Sequence, residues 1–267
     1  MTLGEAADFT SKPRGLNVKS FEKVPFVPME LVAQGGTYVR DWVWKPGKDI
    51  NSGNYFEKGD CLMARITPCF ENGKQGIARA LPADFGYAST ELIPFRGRAG
   101  LSNKYFLFYF VLESGVRRQI TQKMEGATGR QRIPMSVLKH WPIMLPSLPE
   151  QKKIAAVLLK IQRAIETQDR MIQSLRDLKK STMQHLFTHG LRGEKTKITE
   201  IGEIPESWDV VPLEIMGRVG NGSTPKKTNL AYWTNGTIPW LTSGKIHEGV
   251  IKAPDQFVSL KAKRECH

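Results

Sequence analysis

Residues 148–187, LPEQKKIAAVLLKIQRAIETQDRMIQSLRDLKKSTMQHLF, restrict the fold more than any other stretch, because only they sustain helical periodicity over many turns. Ile154, Leu158, Ile161, Ile165, Gln168, Ile172 and Leu175 alternate four and three residues apart. That spacing keeps one stripe on the same side of a supercoiled helix, so they form a candidate seam for a partner helix. Ser147 stands three residues before Glu150 and Pro149 falls in the first turn, a start signal, while Gly190 is a stop signal. About 38 residues at 1.5 Å each make a rod of roughly 57 Å, longer than one small domain needs, which predicts a spacer. An amphipathic helix lying on its own domain is the plainer alternative. Gln168 is either a register-fixing polar residue or a tolerated defect in the seam.

With 267 residues the chain can bury a real core and hold more than one domain. Its net charge of +13 is uneven. Residues 1–146 carry 20 Lys/Arg against 13 Asp/Glu, residues 147–190 carry 8 against 4, and the remainder 11 against 9, so the basic excess sits in the first block and the rod. Such a balance points to a polyanionic partner, nucleic acid before an anionic membrane. The longest apolar run, Tyr105–Leu112, is too short to span a bilayer, and MTLGEAADF lacks the features of a signal peptide, so the expected location is the cytoplasm. Cys61, Cys69 and Cys266 are odd in number and lack metal-ligand spacing. His185 and His189, four apart, have no third ligand in view, and no metal is expected.

Along the chain, 24–32 and 37–44 are rich in β-branched and aromatic residues and predict strands. CLMARI at 61–66 and GIARAL at 76–81 flank a segment containing Asn72-Gly73, a hairpin signal. Residues 101–123 predict one mostly buried helix with Ser102 as N-cap. A glycine-punctuated basic loop follows, then a short helix at Met135–Lys139 and a strand at Trp141–Leu145. Residues 191–206 have linker composition, and a new unit begins at 207. There IPWLTSGKI (238–246) repeats the apolar and proline framework of VPFVPMELV (24–32), and Leu213-Glu214 answers Leu3-Gly4-Glu5, a period of about 210 residues. The expected class is α+β: a globular domain of mixed sheet and helices at 1–146, a long coiled-coil helix at 147–190, a linker at 191–206, and the first part of a second, truncated domain at 207–267.

No phosphate-cradling glycine loop, G-x-S-x-G or H-E-x-x-H is present, so no catalytic residues are assigned. NGSTPKK (221–227) lacks the strand–loop–helix setting of a nucleotide site. Cations, an amide and a hydroxyl do gather on expected loops and on or near the 61–81 hairpin: Lys12, Arg14, Arg65, Lys74, Thr128, Arg130, Gln131 and Arg132. Arg and Gln can bond guanine and adenine edges bidentately, and Lys suits phosphates, so these eight are the candidate DNA-binding residues. Each is equally readable as a solvated surface group.

The pair LPSLPEQKKIAAVLLKIQRAIETQDRMIQSLRDLKKSTMQHLFT and IGEIPESWDVVPL, followed by YWTNGTIPWLTSGKI, closely resembles the DNA-specificity subunit of type I restriction-modification systems. The resemblance implies two target recognition domains, each followed by a long helix, with the helices antiparallel as a ruler between half-sites. It also implies a subunit without catalytic activity and without a cofactor of its own. S-adenosylmethionine, ATP and Mg would belong to partner methyltransferase and motor-nuclease subunits. One full recognition domain and one helix match, and the second domain stops at about 60 residues. A shortened subunit, a disrupted one and a recombination cassette all remain open. So does a coiled-coil assembly fragment with no sequence preference of its own, and so does a homodimer formed through the long helix.

Overall fold

The computed structural model describes residues 1–267 apart from Thr128, Asn221 and His267. It divides into two units, Met1–Lys179 and Lys180–His267. Unit 1 opens with α1 (Leu3–Ala6), whose Thr2 and Glu5 form a capping box, and β1 (Ala7–Phe9). Next come β2 (Val24–Val27), β3 (Val43–Lys45), β4 (Asn54–Glu57), β5 (Cys61–Ala64), β6 (Gln75–Ile77), β7 (Phe85–Ala88) and β8 (Leu92–Gly97). Helices α2 (Lys104–Leu112), α3 (Ser114–Thr121) and α4 (Met135–Lys139) precede α5 (Leu148–His189).

The strands make two four-stranded sheets, ordered β1-β8-β5-β6 and β3-β2-β7-β4. The first is antiparallel throughout, and in the second β2 and β7 run parallel. Cys61, Met63, Ile93 and Phe95 point from the first sheet into a core shared with α1 to α4, including Leu107, Phe108, Ile120 and Leu138. Leu62, Ala64 and Leu92 point the other way, into a core with Val27, Phe56 and Ala88 of the second sheet. A sheet covered on both faces needs apolar residues at successive positions, which is why CLMA reads as a run and not an alternation. Each fully buried Phe or Leu contributes about 1.5–3 kcal/mol of apolar burial.

The hairpin expected around Asn72-Gly73 is present, with Cys61 opposite Ile77 and Gly73 at φ +68°. Other expectations need correction. Residues 101–123 form two helices, because Glu113 turns extended and its carboxylate accepts from Gly115 N and Val116 N, starting α3 afresh. Asn103 caps α2, and Ser102 is buried with its hydroxyl donating to Ala6 O. Residues 37–44 contribute a strand only at β3, apart from a bridge from Tyr38 to Ile77. Residues 141–145 are no strand either, and lie against the N-terminus through Leu3 N to Trp141 O and Ile143 N to Met1 O.

The helix α5 has 42 residues, about 63 Å of axis, and ends at Gly190 with φ +66°. Its first turns are pinned to unit 1. Gln151, 0% exposed, accepts from Asn103 N at 2.8 Å and donates to Leu101 O at 3.1 Å and Pro146 O at 2.8 Å. Three and four turns on, Gln162 Nε2 donates to Gly35 O, and Glu166 accepts from Thr37 N and pairs with Arg40 at 2.8 Å. From Thr167 to His185 every residue is exposed.

In unit 2 the expected linker is a hairpin of β9 (Thr196–Thr199) and β10 (Gly202–Pro205). The remaining elements are α6 (Leu213–Met216), β11 (Ile238–Trp240), β12 (Gln256–Val258) and α7 (Leu260–Glu265). The internal repeat is visible in this order. A four-residue helix, a 3-10 turn, a proline-containing strand, another 3-10 turn and an antiparallel outer strand occur at 3–45 and again at 213–258, with β1 inserted after the helix in the first copy alone among the described residues.

Candidate nucleic-acid interface

The loop 124–133 is held against the ends of β5 and β8 by a backbone ladder. Arg65 N donates to Glu91 O, Ile133 N to Arg65 O, Thr67 N to Gln131 O, and Glu125 and Arg132 exchange two bonds. Across it Arg132 grips Glu91 as a fork, with Nη2 to Oε1 at 2.6 Å and Nε to both oxygens at 2.9 Å. The fork holds the Glu91 carboxyl below the usual carboxylate range. Arg65 is half-buried and donates Nη2 to Ile133 O at 2.8 Å. Three candidate cations thus gather around one carboxylate, with Arg130 exposed beside it.

The eight sequence candidates separate by what they touch. Arg65, Lys74 and Arg132 are engaged in holding the loop and sheet ends, Lys74 through Nζ to Met29 O at 3.3 Å. Lys12, Arg14 and Arg130 are exposed, and Gln131 is half-buried. Thr128 lies outside the described residues.

Lys12 follows β1, whose continuation pairs Thr10 N with Pro94 O. Asn54 Nδ2 donates to Thr90 O and Leu92 O, next to Glu91. These bonds bring the Lys12 loop, the 51–54 turn and the arginine cluster to the same end of the two sheets. Between the Lys12 loop and the 51–54 turn lies a cleft of about 530 Å³ lined by Thr10, Lys12, Lys19, Asn51, Asn54, Tyr55 and Tyr87 among others. Burial and the nearby Glu57 push the Tyr55 phenol up to about 12, so it stays a hydroxyl. Amides, a phenol and lysines around one concavity offer both donors and acceptors to base edges and donors to phosphates. Sequence reading missed Lys19, Asn51, Asn54 and Tyr55. The amide-rich turn NSGN at 51–54 was the available signal.

The seam of α5 is solvent-facing. Ile161 is 53% and Ile165 50% exposed, Ile154, Ile172 and Leu175 are exposed, and Leu158 is half-buried near the docked face. Gln168 is exposed in the same stripe. Val157, Met171 and Leu178 are exposed as well, so the apolar face is wider than one seam.

Among the described residues no group of three His, Cys, Asp or Glu is placed to hold a metal ion, and His185 and His189 face one another at 4.9 Å between ring centres. Among the described residues no helix is long and apolar enough to cross a membrane.

Residues 2–176 match the family model of the type I restriction modification DNA specificity domain. The type I restriction enzyme EcoAI specificity subunit of Escherichia coli is 27% identical over 188 residues, covering 70% of this chain and 31% of that protein. The putative type I restriction enzyme MjaX specificity subunit of Methanocaldococcus jannaschii is 34% identical over 156 residues, covering 58% and 36%. The chain thus spans about a third of the length of the curated relatives it matches. Among solved structures, the HsdS subunit from Thermoanaerobacter tengcongensis superposes with a TM-score of 0.56 at 17% identity, covering 97% of this chain and 63% of that one.

Proposed function

The chain belongs to the family of type I restriction modification DNA specificity domains, and from that membership we propose that it is a non-catalytic subunit that reads duplex DNA by sequence. The observation that carries this reading is the coincidence of the matched region, 2–176, with unit 1, Met1–Lys179, whose sheet ends gather the arginine cluster and the amide-lined cleft. Lys12 and Arg14 contact phosphates, while Arg130 and Gln131 reach base edges. Arg65, Lys74 and Arg132 position the loops that carry them.

In this reading the subunit directs adenine methylation, and restriction, by methyltransferase and motor-nuclease subunits working in the cytoplasm. S-adenosylmethionine, ATP and Mg are bound by those partners. The purified chain with S-adenosylmethionine transfers no methyl group to DNA, and adding the methyltransferase subunit restores transfer at one defined site. Methyl transfer by the chain alone overturns the non-catalytic assignment.

The exposed apolar face from Ile154 to Leu175 favours a second long helix packed antiparallel on it, here from a second copy of the chain. Identical readers related by a two-fold axis recognise an interrupted palindrome. Sedimentation at micromolar concentration gives a dimer under this reading, and a monomer that still directs methylation contradicts it.

A further inference from the structure

Residues 11–21, SKPRGLNVKSF, and 223–233, STPKKTNLAYW, share Ser, Pro, a cation, Asn, an aliphatic residue and an aromatic residue at the same spacing. Both copies fold alike. Asn17 and Asn229 cap 3-10 turns, each accepting at 3.2 Å from the backbone N–H two residues on. The turns, Val18–Ser20 and Leu230–Tyr232, deliver Phe21 and Trp233. Each copy then pairs a proline-containing strand with an outer strand whose central residue is aromatic: Trp44 of β3 opposite Pro25, and Phe257 of β12 opposite Pro239. The registers make Lys45 and Val258 equivalent, so Lys48 answers Lys261.

In unit 1 the aromatic pair walls a shallow cleft of about 690 Å³ with Lys19, Lys23 and Lys48 on its rim. In unit 2 Trp233, Phe257 and Lys227 line one of about 490 Å³. Phe21, Trp44 and Phe257 are 39%, 44% and 48% exposed, and Phe21 and Trp44 stand together on the wall of one cleft. Gly47 holds the unit 1 cleft together, since a Cβ there would collide with the carbonyl oxygens of Val18 and Phe21.

Between the paired strands the copies diverge, at 28–42 against 242–255, while the aromatic pair and the Lys48/Lys261 position persist; Lys19 and Lys23 are matched by Ala231 and Thr237, and Lys227 supplies the second cation of the unit 2 cleft. A surface that survives in both copies recognises something both targets share, and not the sequence that distinguishes them. Charge narrows the choice. Three lysines against Glu22 alone surround the unit 1 cleft, whereas protein-binding surfaces are depleted in lysine and phosphate contacts use it. The cleft is also continuous with the candidate interface, because Lys19 lines both.

We propose that the Phe21–Trp44 patch, and its Trp233–Phe257 counterpart, clamp the sugar–phosphate backbone of duplex DNA without regard to sequence. Lys23 and Lys48 meet phosphates, as do Lys227 and Lys261, and the rings pack on the sugars. This assignment rests on the DNA-reading function proposed above.

The test measures binding of the full chain to its methylation target and to a scrambled duplex of equal length, over a range of salt. K23Q/K48Q weakens both duplexes by the same factor and lowers the salt slope by about 2, one unit for each phosphate that is no longer neutralised. W44L weakens both equally with little change in slope. All substitutions are at exposed or half-exposed side chains, and a thermal melt confirms that the variants fold. A loss confined to the target duplex, or unchanged DNA binding with lost capture of the methyltransferase subunit, overturns the clamp. A wild-type chain that binds neither duplex instead overturns the DNA-reading function itself.

Discussion

Replacing Gln151 tests how the long helix is fixed to the reading domain. Its amide makes three hydrogen bonds while 0% exposed, one accepted from Asn103 N and two donated to Leu101 O and Pro146 O. Gln151→Leu keeps the volume and removes all three. At about 0.5–1.5 kcal/mol each, and with three backbone groups left facing methyls, the loss is about 2–4 kcal/mol. Urea titration of the full chain, followed by circular dichroism, should show the midpoint of the unit 1 transition falling by roughly 1 M for a slope of 2–3 kcal/mol/M. Gln151→Glu keeps the acceptor but aims a buried carboxylate at two carbonyls, so at neutral pH it costs more than leucine. Burial raises the folded pKa of such a carboxyl, so this extra cost is present at high pH and is relieved as pH falls, when a protonated carboxyl again donates. A Gln151→Leu midpoint equal to that of wild type, or a Gln151→Glu defect independent of pH, would refute this pinning of α5 to unit 1.

Glu91→Gln loosens the 124–133 loop. Because the Glu91 carboxyl is held below its ordinary 4.5 by the Arg132 fork, the stability it contributes is complete above that value and is lost as pH falls through the lowered pKa. The melting-temperature gap between wild type and E91Q is therefore open at pH 7 and closed in acid; a constant gap is the contrary result. Arg130→Ala relaxes preference at one base position at a cost of about 1–3 kcal/mol, seen by comparing target and single-mismatch duplexes, and a uniform loss on every duplex would reassign it to phosphate. Ile161→Asp with Ile165→Asp leaves unit 1 folded, since both side chains are half exposed, yet abolishes helix pairing in sedimentation. Affinity of the intact chain for DNA falls steeply between about 50 and 200 mM salt, and a flat response contradicts phosphate contacts.

Much of this was legible in the residues because it is local. The heptad spacing located α5, Asn72-Gly73 located a turn, and the proline-framed repeat located β2 and β11. What escaped depends on pairing across long separations. Nothing near Glu113 announces that its carboxylate will cap a new helix, and Ser102 looks like a cap until Ala6 O, 96 residues away, claims its hydroxyl. The candidate site shows the same limit. Arg130, Gln131 and Arg132 are equivalent by composition, and only the approach of Glu91, 41 residues before Arg132, separates a loop anchor from a free cation. The aromatic frame at 11–21 and 223–233 was in plain view but needs a two-residue offset before the strands align.

Selection of random-sequence duplex DNA by the full chain together with its methyltransferase subunit, followed by sequencing of the bound fraction, addresses the central claim most directly. Enrichment of one short fixed motif, relaxed at a single position with Arg130→Ala and retained with K23Q/K48Q at reduced yield, is the result predicted for a subunit whose first unit reads sequence. A bound pool as random as the input, from a chain that still associates with the methyltransferase, would contradict it.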